Sequence, residues 1–448
     1  MIFKKFKNWQ IFWQNFLVKY HLIILKIKLN CLLLILFFFI HTILLIQYSR
    51  ALTLEKSIEE TIANNKELAI EMQKLANYKL QNWRILQDNL PMINVNFNKG
   101  TRDSKNFAIQ QNYQQNKFTS TEFSIEQNIF SGFSSLFNYQ KNQLEYLKNL
   151  ALFNDRKQLL ANQIAVLYGK IFYQEKILKN LYQILDFYEK ILKNEKLRFK
   201  FGVITNLEIQ NLETQILKVS QQILLAKSEN FTSQQDFTLL SGLNADNLNI
   251  SHNFDEKNLK FDPQQIENNY LLQAKNLEIK ILQETQKLNY ANSAPKISLQ
   301  LGFSKQNNNN IYFPNQEIRS KSVGINMVMP IFQQGREYLD FKQIQNNQNI
   351  AFDEYNFLKE KLKNELKKDC FELENAITNL QKCWELQKII EDKINDSKYK
   401  ISTKIDNINN LFFLEISSLE TQIQCHKNQL NIHNLYYKIL ANIGGINV

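Results

Sequence analysis

The stretch VGINMVMPIFQQGREY, Val323 to Tyr338, decides the fold. Val323, Ile325, Met327 and Met329 face one way, and Gly324, Asn326 and Val328 the other. That is the period of a strand with two unlike faces. Pro330 ends the ladder by removing a backbone donor. Gly335 loosens the chain, and a long helix-period run follows from Glu337. The same plan is written earlier, in FSIEQNIFSGFSS, Phe123 to Ser135, which alternates, reaches Ile129-Phe130 and meets Gly132.

The two copies share a frame. Ile129-Phe130 and Ile331-Phe332 are 202 residues apart, Gly132 and Gly335 203, Pro91 and Pro295 204, and Gly242 and Gly444 202. With only 10 Gly and 5 Pro in 448 residues, this agreement points to an internal duplication of about 200 residues. The expected organisation is a leader over 1–51, a first repeat over 52–245, a polar link over 246–262 and a second repeat over 263–448. No Pro lies between Pro91 and Pro263, and none follows Pro330. Such spans permit very long helices.

The net charge of +11 is concentrated at the start. Residues 1–50 hold seven Lys or Arg and no acid, which leaves +4 for the rest. Nucleic-acid binding therefore loses most of its electrostatic support. The basic segment runs into CLLLILFFFIHTILLI, Cys31 to Ile46, and then Ser49-Arg50-Ala51. A basic head, an apolar run and small residues at a cleavage site read as an export signal. A retained membrane anchor is the competing reading.

Taken in order, a helix is expected from Leu54, capped by Thr53, to Leu90, where Pro91 stops it. A hairpin follows, with Ile93, Val95 and Phe97 alternating with Asn94, Asn96 and Asn98. Its tip is Lys99 to Lys117 and its return strand Glu122 to Phe130. Ser134 to about Lys200 reads as one helix about 100 Å long. Leu178, Leu181, Leu185, Tyr188 and Leu192 step by three and four along it, thickened by Ile177, Ile184 and Ile191, which asks for coiled-coil neighbours. Gly202 breaks it, Thr205 or Asn206 caps the next helix, and that helix runs to Gly242. The second half repeats the plan, with strands around Ile297 to Phe303 and up to Met329 and a helix from Glu337 to about Ile401. A last helix ends at Gly444.

Four two-faced strands cannot stand alone, since their edges are open. In a bilayer an open sheet is excluded, so such strands must close into a barrel, and three chains of four give twelve. A soluble hairpin cap on coiled-coil helices would also fit the alternation.

Together these pieces resemble the TolC-type outer membrane efflux proteins, over Leu52 to Val448. The resemblance is carried by LTLEKSIEETIANNKEL at the start and RFKFGVITNLEIQNLETQ at the first helical turn. In the second half it is carried by APKISLQLGFSK and SVGINMVMPIFQQG. It implies a mainly α chain with a membrane β-barrel portion: long helical hairpins forming an α-barrel, and four strands per chain closing a 12-stranded β-barrel in a homotrimer. It implies an outer membrane exit duct with its helices in the periplasm. The partners would be a periplasmic adaptor (membrane fusion protein), an inner-membrane ABC or resistance–nodulation–division transporter, and outer membrane lipid. In this family the helix-turn tips bind the adaptor and close the duct. That maps onto Phe199, Gly202, Thr205 and Glu208 in the first tip, and onto Tyr399 and Ser402 in the second, where Ser402 stands in place of Gly.

Glu208, Asp406 and Glu415 are the candidate gate carboxylates. For Glu208 the alternative is a solvated helix carboxylate. LEISSLETQI, Leu414 to Ile423, copies LEIQNLETQI, Leu207 to Ile216, at an offset of 207 rather than 202. Either residues are inserted near Ile405 to Asn410, or the likeness is accidental. A membrane-anchored periplasmic coiled-coil scaffold remains the alternative function, and a pump adaptor a third. No phosphate loop or nucleophile elbow is present, and no cofactor is expected. His426 and His433, seven apart on one helical face, read as packing or surface residues. Cys370, Cys383 and Cys425 read as small hydrophobes in helix packing, with no disulfide implied.

Overall fold

The computed structural model describes residues 53–104, 114–245, 261, 263–309, 316–403 and 407–446. The export signal, the cleavage site, most of the inter-repeat link and Asp406 lie outside them. Each repeat contributes helices, an antiparallel strand pair, a 67-residue helix and a shorter return helix. The first is α1 (Leu54–Asn64), α2 (Lys66–Gln87), β1 (Met92–Ser104), β2 (Gln114–Ser131), α3 (Ser134–Lys200) and α4 (Asn206–Ser241). A 3-10 turn, Pro263–Asn268, opens the second. It continues as α5 (Tyr270–Asn292), β3 (Lys296–Asn309), β4 (Gln316–Val328), α6 (Arg336–Ser402) and α7 (Ile408–Asn442).

The helix expected from Leu54 to Leu90 is broken. Asn65 is extended at φ −71°, ψ 119°, and its side chain accepts from Leu68 N at 2.9 Å, capping α2. Asn269, its counterpart in the second repeat, accepts from Leu272 N at the same 2.9 Å and caps α5. An Asn side chain competes well with the helix for backbone donors, so it starts a new helix where the pattern alone runs on. Thr53 caps α1 as expected, accepting from Lys56 N.

The strand-to-helix turn uses two consecutive left-handed residues in both repeats. They are Gly132-Phe133 and Gln334-Gly335, 202 apart, just before α3 and α6. Glycine supplies the first position in one repeat and the second in the other, which is why the glycines alone count 203. At Gly132 the requirement is absolute, because a Cβ would meet Ala291 O at 2.6 Å and the Ala294 Cβ at 2.7 Å.

The four strands form one antiparallel sheet in the order β1-β2-β3-β4, so the repeats meet at β2 and β3. Phe123 pairs with Phe303 there, ring centroids 6.1 Å apart. The strands run 13, 18, 14 and 13 residues, longer than the nine to eleven a barrel wall needs. The tip from Lys99 to Lys117, expected as a loop, is strand at both ends. Backbone pairing continues past the apolar rows because it does not depend on side-chain polarity.

The helices bury their seams at heptad spacing. Ile177, Ile184 and Ile191 on α3, with Leu181, pack on Leu212, Val219 and Ile223 of α4 and on Ile416 and Leu419 of α7. The isoleucines form the seam, while Leu178, Leu185, Tyr188 and Leu192 flank it. On α6, Leu366, Leu373 and Leu380 are buried, whereas Trp384 is exposed. An apolar pattern of 3.5 residues is the signature of supercoiled neighbours.

The cysteines depart from expectation. Cys383 on α6 and Cys425 on α7 are buried and joined by a disulfide, Cα atoms 5.7 Å apart. Their separation of 42 residues carries no motif, and only the antiparallel register of the hairpin brings them together. Cys370 is free. His433 is a core residue: its Nε2 lies 2.7 Å from Ala165 O, and Gly169 leaves the space its ring fills. His426 is half-buried beside Tyr173.

Candidate functional site: the helical tip

The end of the first hairpin is built by three local devices. Helix α3 ends in a Schellman turn, in which Val203 N donates to Arg198 O at 3.0 Å and Gly202 N to Phe199 O at 2.9 Å. Gly202 sits at φ +71° to close it. Helix α4 then starts on a capping box. Glu208 N donates to Thr205 Oγ1, and Thr205 N donates to Glu208 Oε2 at 2.6 Å. Between them the chain exposes apolar side chains: Phe201 is 82 % exposed, and Phe199, Val203 and Leu207 are also open to solvent. Exposed aromatic and aliphatic residues held on a tight turn are what a partner-binding tip presents.

Glu208 is exposed, and its carboxyl is held below the ordinary range, first by the Thr205 backbone donor, then by the Thr205 hydroxyl, with Arg198 assisting. One oxygen is therefore committed to the cap while the charge is retained.

The two tips are joined inside one chain. Asn409, at the start of α7 and buried, accepts from Asn194 Nδ2 at 2.9 Å and donates to Glu195 Oε1. Glu195 is also gripped by Arg198 through both oxygens, at 2.8 and 3.0 Å. Next to this network a cleft of about 570 Å³ opens between Tyr188, Arg198, Ile204, Glu208, Gln215 and Phe413. It brings Glu208 and the Asn194–Asn409–Glu195–Arg198 network to one side of the tip. Sequence reasoning missed the network.

The second tip is ordered differently. Asn407 caps α7, its Oδ1 accepting from Asn409 N, and it occupies the place that Thr205 holds in the first repeat. The caps Thr205 and Asn407 are 202 apart, and so are the helix starts Asn206 and Ile408. The frame therefore passes through the turn unbroken, and no insertion separates the repeats. The LEISSLETQI likeness at 207 is accidental repetition of helical sequence. By the common frame Tyr399 falls opposite Leu197, and Ser402 opposite Lys200. Ser402 closes its helix with its hydroxyl, donating to Tyr399 O at 2.6 Å, and Thr403 Oγ1 donates to Lys400 O. Tyr399 is exposed. Glu415 is paired with Lys398 at 3.3 Å across the hairpin.

The comparisons with known proteins bear on this architecture. No protein-family model and no curated protein sequence matches the chain. Solved structures do. CusC, a transmembrane channel, is similar at a TM-score of 0.73 with 13% identity, over 88% of this chain and 92% of its own. The CmeC outer membrane channel of Campylobacter jejuni gives 0.73 with 11% identity, over 88% and 85%. The outer membrane protein VceC of Vibrio cholerae gives 0.69 with 12% identity, over 88% and 96%. The chain has the outer-membrane channel fold. In that fold the Gly202 turn and the sheet are opposite ends of one 67-residue helix, about 100 Å apart.

Proposed function

We propose that the chain is one third of an exit duct. Three copies close a twelve-stranded barrel in the outer membrane and a helical cylinder in the periplasm, and pass cargo from an inner-membrane pump to the exterior. The observation that carries this is the sheet. Ile93, Ile125, Leu301 and Val323 form one unbroken apolar row across all four strands, and Asn96, Glu122, Ser304 and Ser320 form a polar row on the other face. Ile93, Val95, Val323 and Ile325, on the two edge strands, are 60–77 % exposed in the single chain. A sheet apolar on one side, polar on the other and open at both edges fits a wall between lipid and an aqueous lumen, completed by further copies.

At the other end Phe199, Gly202 and Thr205, with Tyr399 and Ser402, form the surface we assign to a periplasmic adaptor. Glu208 is the candidate gate carboxylate. Glu415 fits a structural role better, given its partner Lys398. No step of the proposed function is catalytic.

The test is reconstitution of protein purified from the outer membrane fraction into planar bilayers. Discrete conductance steps support the duct. A protein recovered in the inner membrane with Met1 intact, and without conductance, supports a membrane-anchored scaffold instead.

A further inference from the structure

The apolar face of the sheet turns basic toward the end remote from the helices. The helices join the strands near Met92, Ser131, Lys296 and Val328. Away from that end, in steps of two along the apolar face, Phe97 is followed by Lys99, Phe303 by Lys305, and Val323 by Lys321 and Arg319. On β2 the same face runs from Phe123 through Thr121 and Thr119 to Lys117. All five bases are exposed. Glu317 is the one acid on this face among the described side chains, and it pairs with Lys305 at 3.3 Å and with Arg319. Lys99, Lys117 and Lys321 have no ion-pair partner among the described residues. On the opposite face β2 carries Glu122 and Glu126, so charge is sorted by face.

Edge protection would account for bases on β1 and β4. It does not account for Lys117 and Lys305, which lie on the two inner strands. A base facing lipid is costly at the bilayer midplane and nearly free at headgroup depth. The bases therefore begin where the hydrocarbon ends, just beyond Phe97, Phe123 and Phe303, aromatic residues of the kind that girdle such a boundary. Lys305 and Arg319 are also direct cross-strand partners, and like charges so placed destabilise a sheet. Glu317 serves both, which leaves Lys321 and the other two bases uncompensated.

We propose that this basic girdle binds the phosphate groups of a phosphorylated glycolipid in the outer leaflet of the membrane. The leaflet rests on the duct reading, which puts the helices in the periplasm and the far end of the sheet outside. The sorting of charge by face does not. A phosphate monoester on a sugar brings close to two negative charges and three acceptor oxygens, so one group can satisfy two bases at once. The phosphodiester of an ordinary phospholipid brings a single charge. The excess of bases over Glu317 therefore selects the glycolipid, while its acyl chains lie along the apolar rows below.

The experiment uses the full chain, purified from the membrane and stripped of lipid in a nonionic detergent. It is titrated with bisphosphorylated lipid A, with dephosphorylated lipid A and with phosphatidylglycerol, and bound lipid is counted by native mass spectrometry. The bisphosphorylated form should bind most tightly. Lys117→Gln/Lys305→Gln should weaken it by about fivefold for each base removed. Glu122→Gln, on the opposite face, should leave it unchanged. Equal binding of the phosphorylated and dephosphorylated forms, or no loss in the double variant, overturns the girdle. Phosphatidylglycerol bound as tightly as lipid A overturns the choice of glycolipid. Either result in a protein that still conducts in planar bilayers leaves the duct reading intact. A chain found in the inner membrane and without conductance overturns that reading and the girdle with it. If the double variant folds poorly, the native protein supplies the test. Salt at about 1 M, where the screening length is about 3 Å, should release bisphosphorylated lipid A and spare the dephosphorylated form; equal retention of both overturns the girdle.

Discussion

Lys196 faces Glu213 across the first hairpin at 3.1 Å, and in the second repeat Lys398 faces Glu415 at 3.3 Å. The same ion pair, at the same height, has been kept in both repeats. It fixes the structural frame below the sheet and reads Glu415 as one half of a cross-helix pair. The members are partly exposed, so each pair is worth only about 0.2–1 kcal/mol. Double-mutant cycles with Lys196→Ala/Glu213→Ala and Lys398→Ala/Glu415→Ala should give coupling energies that agree with each other within that range. Chemical denaturation of the purified protein measures them.

Gly202 is required by conformation alone. A Cβ there would meet nothing within 4 Å, but φ is +71°. Gly202→Ala should cost about 1–2 kcal/mol locally, and Gly202→Val more, since a β-branched residue tolerates the left-handed region worst. Assembly should be unchanged, because the strands are about 100 Å away along the helix. Transport in a strain lacking its own duct should be lost. Normal transport by Gly202→Val would show that the Gly202 turn is not the docking tip.

Glu208 carries a pH signature. Its carboxyl lies below the ordinary range because the Thr205 backbone N–H, and then the Thr205 hydroxyl, bind the ionised form. A group depressed in the fold contributes stability above its unfolded pKa, about 4.3, and loses it as pH falls through the lower folded value. Protection factors of the amides at the start of α4, taken relative to intrinsic exchange at each pH, should fall below that range in the native protein. Glu208→Gln should lower them at neutral pH and flatten the dependence. Glu208→Lys should also change ion selectivity in a planar bilayer; unchanged selectivity leaves Glu208 as a cap only.

Lys438 lies 2.7 Å from Asp369, which is 1 % exposed, and 3.4 Å from Glu365. Burial pulls the Lys438 ammonium down, but Asp369 and Glu365 together carry it above its usual value. The stability it brings is present below the unfolded lysine pKa, about 10.4, and is lost as pH rises through the folded value. Lys438→Met should cost about 3–5 kcal/mol by leaving the buried carboxylate unpaired. Adding Asp369→Leu, the residue that the first repeat carries as Leu167, should recover most of it. Thermal melts at neutral pH compare the three.

Much of the architecture was legible because it is written in backbone terms. Pro91 and Pro295 stop helices, Gly132 and Gly335 turn strands into helices, and the long proline-free runs become 67-residue helices. What escaped the sequence depends on neighbours. Asn65 breaks a helix only because its side chain finds the Leu68 amide. Cys383 and Cys425 meet only through the register of two antiparallel helices. The pairing of Asn409 with Asn194 and Glu195 joins opposite repeats, far apart in the chain, and no local pattern announces it. At the second tip, the accidental copy of LEIQNLETQI disguised the true frame, which the caps at Thr205 and Asn407 restore.

In the duct three open sheets close on one another. Native mass spectrometry of the chain, extracted from the outer membrane in mild detergent, should show one species of three chains, with mixed helix and strand signal, that falls to single chains only on heating. A monomer of unchanged secondary structure in the same detergent would contradict it.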